Sequence, residues 1–284
     1  MGKKTKRFLI ICGIVVGAGL ILTTVGAASG GLEGIDKLSN RYTWIAGPSA
    51  EEDEQSLDPA QTFDAVKVSG DLDVTVMRGS EDSAKIIYPK DKGSGSLTVE
   101  NGTLVAEYTN QQSVIINLAS EDESPRLVIT RKDPASIRSI ETDVSYGDVT
   151  LENIAVETAV LKSEDGDVEL SGAQIGDLKA DLEYGDLDGE NVTCTTITAT
   201  LEDGDCELDG IFDGNIAVTS QYGDVEIHTT AAESQYTVTA ETDFGTVEIS
   251  GREYDDGGRV TFGSGASQMN LKAYDGDISV RFGK

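Results

Sequence analysis

The sequence predicts an all-β protein whose main part is a parallel β-solenoid-like stack with rungs of about 19 residues. Two observations predict this fold. Short runs in which apolar and polar residues alternate recur from residue 62 onward, separated by Gly, Asn, Asp or Ser. From residue 145 onward, one phrase of the form YGDV or DGDV returns at a nearly constant interval, which is typical of structural units that stack on each other.

Composition and charge exclude several classes of function. The chain has 284 residues, of which 51 are acidic and 22 are basic, so its net charge is −29. Nucleic-acid binding is excluded because it needs a basic surface that displaces counterions from phosphates. The single histidine, His228, excludes most metal-hydrolase and Ser-His-Asp schemes. We therefore expect a protein that is not an enzyme and has no nucleic-acid partner.

The N-terminal residues predict a membrane anchor. A basic flank at residues 1–7 precedes residues 8–28, which carry no charge and, as a helix, are long enough to cross the roughly 30 Å hydrocarbon core. Basic flanks stay in the cytoplasm, so we expect a single-pass cell-membrane protein with a cytoplasmic N-terminus and an extracellular C-terminal domain. A cleaved signal peptide is the alternative, because Gly26, Ala27 and Ala28 offer small residues at a plausible cleavage site.

Two regions separate this predicted transmembrane helix from the repeats. Residues 29–61 are rich in Gly and acidic residues and are predicted to form a polar acidic stalk. Residues 62–140 contain short alternating strands, and Asn101-Gly102 between two of them is a good signal for a type I′ hairpin. We therefore expect antiparallel β-hairpins at residues 62–140, followed by the β-strand-repeat region at residues 141–284.

One glycine marks each copy of the repeat. The first four intervals between successive glycines are 19 residues, and the next two are 22 and 31 residues. We expect each of these glycines to occupy the turn of its rung. The repeat glycines are Gly147, Gly166, Gly185, Gly204, Gly223, Gly245 and Gly276.

Each copy also has one apolar face. Two residues after the glycine the first four copies have Val149, Val168, Leu187 and Cys206, and the next position is polar. A rung cannot bury this row alone, so we expect these four residues to stack on one another in a common core. The residue before the glycine alternates between Tyr and Asp, so a 38-residue unit with alternate copies in two facing sheets remains a second interpretation.

The order of these segments resembles a known family. A basic start, one membrane helix, a polar stalk, the run FDAVKVSGDLDVTV and the repeated (Y/D)GD(V/I)x(L/I) phrase are similar to the bacterial membrane-anchored β-strand-repeat, adhesin-like domains of unknown function. The membrane-anchored member of Lia-type envelope-stress operons is one relative. The resemblance covers roughly residues 62–282 and implies a surface β-solenoid-like domain with no established activity. It carries over no functional residues.

An aspartate follows the turn glycine in all but one copy, where Thr246 replaces it. In a stack these side chains would lie about 4.8 Å apart, a distance at which like charges repel. One interpretation is local, because an Asp after Gly accepts backbone N–H bonds in its own turn. The other is a column of weak Ca²⁺ sites, with Ca²⁺ as the only cofactor considered. The candidate metal ligands are Asp148, Asp167, Asp186, Asp205 and Asp224.

Three other side chains belong to chemically reactive residue types. His228 is predicted to lie on the surface, because no second His and no GxSxG motif accompany it. Cys206 occupies a position that is Val in other copies, so we expect a buried thiol, with a disulfide to Cys194 as the alternative. We therefore expect no catalytic and no cofactor-binding residues.

These features together predict a non-catalytic, membrane-tethered extracellular β-repeat scaffold of an adhesin-like or envelope-stress accessory type. Its expected partners are the membrane, through the N-terminal helix, and envelope polymers, cationic peptides or membrane proteins. Two alternatives stay open. One is a carbohydrate-active enzyme of the β-helix type, since two of the many carboxylates could meet a catalytic spacing. The other is a Ca²⁺-stabilised surface module.

Overall fold

The computed structural model describes residues 51–90, 92–111, 124–254 and 258–283. In these ranges nearly all regular structure is β-strand, and one short 3₁₀ helix spans Glu233–Gln235. The strands are β1 Glu52–Ser56, β2 Ala65–Gly70, β3 Asp73–Arg78, β4 Ser83–Pro89, β5 Gly93–Glu100, β6 Thr103–Asn110, β7 Arg126–Arg131, β8 Ser139–Tyr146, β9 Val149–Glu152, β10 Ala155–Asp165, β11 Val168–Ser171, β12 Gln174–Tyr184, β13 Leu187–Asp203, β14 Cys206–Phe212, β15 Ile216–Tyr222, β16 Val225–Thr229, β17 Tyr236–Phe244, β18 Val247–Ile249, β19 Arg252–Tyr254, β20 Gly258–Gly263, β21 Ser267–Asp275 and β22 Ile278–Phe282.

Most of these strands form two parallel ladders. In most rungs a strand of the first ladder leads through a short turn into a strand of the second ladder. The first ladder has the spatial order β6-β2-β8-β10-β12-β13-β15-β21-β17. The second has the order β7-β3-β9-β11-β13-β14-β16-β22-β18. The long strand β13 serves both ladders, because it begins in the second and ends in the first.

The predicted stacking of the repeats is confirmed. Val149, Val168, Leu187 and Cys206 are direct register partners in the second ladder, and all four are buried. Successive copies therefore lie on neighbouring rungs of one ladder. The alternative with alternate copies in two facing sheets is wrong for these copies, and the solenoid-like interpretation holds.

The rungs enclose one hydrophobic core. Alternate residues of both ladders point inward, such as Leu161 of the first ladder and Val168 of the second, and they belong to a single buried cluster. Larger side chains fill the core near the end of the stack that carries the C-terminal strands, where the Tyr236 hydroxyl donates a hydrogen bond to the backbone carbonyl of Phe212. Because a single rung cannot bury its own apolar row, the core depends on contact between neighbouring rungs.

The last two copies of the repeat are stacked in reverse chain order. The rung β21-β22, which contains Gly276, lies between the rung β15-β16 and the rung β17-β18, which contains Gly245. The chain thus leaves one rung position empty, forms the outer rung, and returns to fill the gap. On the way it forms β19 and β20, which pair antiparallel with β18 and β17 and cover the outer edges of both ladders. This route explains why the last two intervals between glycines are longer than 19 residues.

The prediction of antiparallel hairpins at residues 62–140 is correct only in part. Strands β5 and β6 form the predicted hairpin, with Asn101 and Gly102 at φ values of 51° and 82°, and β4 pairs antiparallel with β7. However, β2-β3 and β6-β7 are parallel rungs of the stack itself. Alternation in sequence reports which residues are buried and not the direction of the partner strand, so it could not separate the two arrangements.

The predicted stalk at residues 29–61 includes one strand of the folded region. Strand β1 pairs antiparallel with β4 although its five side chains are all exposed. The Gln55 side-chain amide donates to the Leu97 carbonyl and accepts from the Leu97 N–H at 3.1 and 3.2 Å, which links β1 to β5. Backbone pairing and this amide hold a strand that has no apolar face and therefore no alternating signal in the sequence.

The predicted membrane anchor at residues 8–28 lies outside the described residues. Among the residues that are described, no helix is both long and apolar enough to span a bilayer.

Candidate functional site

The repeat glycines lie where stacked turns come closest to each other. All seven have φ between 137° and 158°, a range that residues with a side chain rarely adopt. A Cβ added to Gly204 would lie 2.1 Å from the carbonyl oxygen of Gly185 on the next rung. Glycine is therefore required by both the turn conformation and the close approach of the neighbouring backbone.

The five candidate aspartates are brought together in one column along these turns. The backbone N–H of Asp167 donates to Oδ1 of Asp148 at 2.9 Å, and the same bond links each later aspartate to the one before it at 2.7–2.8 Å. Sequence reasoning missed Asp73, whose Oδ1 accepts from the Asp148 N–H at 3.1 Å. Asp277 continues the column by donating to Asp224 at 2.7 Å.

This column corrects the local explanation for the aspartates. Each carboxylate accepts a hydrogen bond from the backbone of the neighbouring rung and not from its own turn. A bond of this kind, from a backbone N–H to an ionised carboxylate, is stronger than one between neutral groups. Thr246 donates its N–H to Asp277 at 2.7 Å but belongs to the last rung of the ladder, where no further turn needs an acceptor. The last turn therefore needs no carboxylate, which explains why this copy has Thr in place of Asp.

The Ca²⁺ column stays a prediction. Across the described ranges, no group of three or more His, Cys, Asp or Glu side chains is arranged to hold a metal ion. One oxygen of each turn carboxylate from Asp148 to Asp224 already accepts a hydrogen bond from a backbone N–H.

A second acidic column lies beside the turn aspartates on the outward face of the second ladder. Its members are direct register partners on four successive rungs, namely Glu169, Asp188, Glu207 and Glu226. Burial raises the pKa of Asp188 above its usual value, and the nearby carboxylates, first that of Asp186 and then that of Glu207, raise it further. This face therefore carries a dense negative field that attracts cations and repels anions.

The histidine and the two cysteines of the repeats lie in different environments. His228 is half-exposed on the second ladder, and its Nδ1 lies 2.5 Å from Oδ2 of Asp209. Cys194 and Cys206 are both free and buried, so the alternative of a disulfide between them is wrong. Burial raises the pKa of Cys194 to about 12 and raises that of Cys206 as well, which keeps both thiols protonated and unreactive.

Several solved structures are similar to the chain at low identity. A candidate lipid-binding protein from Parabacteroides distasonis ATCC 8503 shares 14% identity over 84% of this chain and 96% of its own, with a TM-score of 0.44. A candidate adhesin from Bacteroides fragilis NCTC 9343 shares 13% over 83% and 100%, with a TM-score of 0.41. A candidate cell adhesion protein from Clostridium sporogenes ATCC 15579 shares 12% over 82% and 99%, with a TM-score of 0.38.

No curated protein matches the chain. The family comparison is more decisive, because a single family model covers the glycine turns, the aspartate column and both ladders. Residues 58–281 match this model, which is described as Toastrack DUF4097. The matched range also includes β2 to β7, in agreement with their place in the stack. The chain therefore belongs to the Toastrack DUF4097 family.

Proposed function

We propose that the chain is a non-catalytic, membrane-tethered extracellular scaffold, of an adhesin-like or envelope-stress accessory type, that binds envelope components or partner proteins. One observation carries the proposal. The stack presents equivalent positions on successive rungs, and two of its outward columns, the turn aspartates and the column of Glu169, Asp188, Glu207 and Glu226, consist of carboxylates. A catalytic site needs unlike groups that converge on one point, whereas repeated columns suit an extended partner that makes the same contact many times.

The charge of these columns restricts the partner. The turn aspartates and the acidic column Glu169, Asp188, Glu207 and Glu226 lie side by side on one face. Such a face repels nucleic acids, anionic lipids and anionic polymers. We therefore propose cationic peptides, cationic or uncharged envelope polymers, or membrane proteins with a basic surface as its partners, with residues 8–28 as the tether.

A carbohydrate-active enzyme of the β-helix type is a weaker proposal. Glycosidases use two carboxyl groups at most roughly 9.5 Å apart, whose pKa values are pushed apart by their surroundings. Burial raises the pKa of two carboxyl groups, Asp73 and Asp188. Their strands, β3 and β13, are separated by three rung spacings, or about 14 Å along the stack. These two groups are therefore too far apart to act as a pair.

Fractionation of cells that produce the full-length chain tests the tether. We expect the chain in the membrane fraction, with its C-terminal region cut by a protease added outside intact cells. A variant with Val16→Arg and Leu20→Arg within residues 8–28 should leave the membrane fraction, because charges at the centre of a spanning helix are costly. A wild-type chain in the soluble fraction, or one that resists external protease, would contradict the proposal.

A deletion strain tests the role in the envelope. Loss of the gene should change growth in the presence of envelope-damaging agents, and the wild-type chain should restore it. The variant with Val16→Arg and Leu20→Arg should not restore growth, since a tethered scaffold acts only where it is anchored. An unchanged response of the deletion strain would count against an envelope role.

A further inference from the structure

One column of exposed side chains alternates between aromatic residues and aspartate. Its members are register partners on seven successive rungs of the first ladder, at the position where each strand meets its turn. We call it the aromatic column, and it consists, in spatial order, of Tyr146, Asp165, Tyr184, Asp203, Tyr222, Asp275 and Phe244. The exposed fractions of its four aromatic side chains lie between 52% and 75%.

The alternation follows spatial order and not chain order. Along the chain the last three members are Tyr222, Phe244 and Asp275, which places two aromatic residues in succession. The reversed stacking of the last two rungs inserts Asp275 between them and restores the pattern. A sequence duplication with a 38-residue period would not produce this result by itself, because the period is broken at these copies.

Avoidance of like charges does not explain the alternation. Two other columns on the same stack place carboxylates on successive rungs, among them Asp167 and Asp186 at the turns and Asp188 and Glu207 on the second ladder. The fold tolerates such neighbours, so aromatic residues are not needed to separate the aspartates. Large exposed aromatic side chains at regular spacing are instead typical of a contact surface.

An open groove of about 430 Å³ lies on the first ladder. Glu164, Glu183, Glu202 and Gln221 line it, and each is the residue immediately before a member of the aromatic column. Five carboxylates line the groove against one lysine, Lys162, so acceptors and negative charge prevail, while Lys162, Thr200, Thr219, Gln221 and Tyr274 supply donors.

We propose that the groove and the aromatic column bind a linear, β-linked glycan of amino sugars, such as chitosan, which runs along the stack axis. The inference rests on the proposed scaffold function and names its ligand class. Aromatic residues on every second rung recur about every 10 Å, twice the strand spacing. This is the length over which an extended β-linked glycan repeats one disaccharide, so each aromatic ring would meet an equivalent sugar face.

The hydrogen-bonding capacity of the groove favours a glycan over a polypeptide. An extended peptide recognised through its backbone pairs with the free edge of a sheet, whereas this groove lies over strands that are paired on both sides and offers side chains. Sugar hydroxyl and ammonium groups donate along the whole chain and would be accepted by the glutamates and by Asp165 and Asp203. The negative charge also disfavours anionic polymers and favours free amino groups over acetylated ones.

Calorimetric titration of the purified full-length chain tests this inference. The probes are the dimer, tetramer and hexamer of β-linked glucosamine, with the fully N-acetylated hexamer, cellohexaose and a lysine oligomer of equal charge as controls. We expect affinity to rise with each added disaccharide and to be highest for the glucosamine hexamer. Tyr184→Ala with Tyr222→Ala should weaken it about tenfold or more, equivalent to about 1.4 kcal/mol. The exposed Ile211→Ala, which lies outside the column, should leave the affinity within about twofold.

The other outcomes overturn the inference. Equal binding of the lysine oligomer, unaffected by the tyrosine substitutions, would show charge attraction only. Equal binding of the acetylated hexamer would contradict the argument from charge, and no binding of any glycan would exclude the ligand class. Since the proposed scaffold function is judged by fractionation and by the deletion strain, its failure is distinguishable from failure of this inference. A melting curve of each variant confirms that the exposed substitutions leave the stack folded.

Discussion

The carboxylate of each turn aspartate completes the hydrogen bonding of a different rung. Asp205 accepts the N–H of Asp224 at 2.7 Å, so Asp205→Ala would leave that donor without its partner. We expect a loss of about 1–3 kcal/mol in the free energy of unfolding, measured by denaturant titration of the full-length chain. Asp205→Asn should lose less of the free energy of unfolding, because the amide oxygen of Asn still accepts a hydrogen bond from the Asp224 N–H. Thr246→Ala, in the last rung, should be close to neutral, and a loss as large as that of Asp205→Ala would contradict the interpretation.

Asp188 shows how a column of like charges acts on one carboxyl group. Burial first, and then Asp186 and Glu207, raise its pKa above the usual 3.8. The folded state therefore binds this proton more tightly than the unfolded state, and ionised Asp188 destabilises the fold at neutral pH. We expect Asp188→Asn to raise the melting temperature at neutral pH, and the gain to vanish as pH falls through the raised pKa towards 3.8. A melting temperature that Asp188→Asn leaves unchanged at neutral pH would contradict this interpretation.

The reversed order of the last rungs predicts which strands are neighbours near the C-terminus. Glu226 of β16 is the register partner of Ser279 of β22, and Ser279 in turn is the partner of Glu248 of β18. Cysteines that replace Glu226 and Ser279 should form a disulfide under mild oxidation, because neighbouring strands place their Cα atoms within about 7 Å. Cysteines at Glu226 and Glu248 lie two rungs apart and should not. The reverse result, detected by gel mobility, would show that the rungs stack in chain order.

The strands also show what sequence patterns can and cannot predict. The constant interval between Gly147 and Gly223 predicts the stacked rungs, because each interval returns the chain to the same place one rung along. Two features near the ends of the stack were not predicted, for physical reasons. Strand β1 is held by backbone bonds and has no apolar face. The reversed order near the C-terminus depends on which rung lies at the end of the stack. The alternation of apolar residues does not indicate the order in which rungs stack.

The residues of the candidate site are brought together by the register of the parallel strands. The aspartate column could be predicted from sequence as a set of residues, but its hydrogen bonds join residues 19 positions apart, and Asp73 and Asp277 join it across 75 and 53 positions. The alternation of Tyr and Asp was visible in the sequence as a longer period. Its continuation through Asp275 and Phe244 required the spatial order of the rungs.

The whole molecule carries a net charge of −29, with carboxylates aligned on successive rungs, so its stability should depend on the ionic environment. Raising NaCl from about 0.01 M to 1 M shortens the screening length from about 30 Å to about 3 Å, which should weaken this repulsion and raise the melting temperature of the full-length chain. Millimolar Ca²⁺ and chelator, compared at matched ionic strength, separate general screening from a specific site. We expect equal midpoints, because each turn carboxylate from Asp148 to Asp224 already accepts a backbone N–H. A rise specific to Ca²⁺ that disappears in Asp167→Asn with Asp205→Asn would instead establish the column as a Ca²⁺ site.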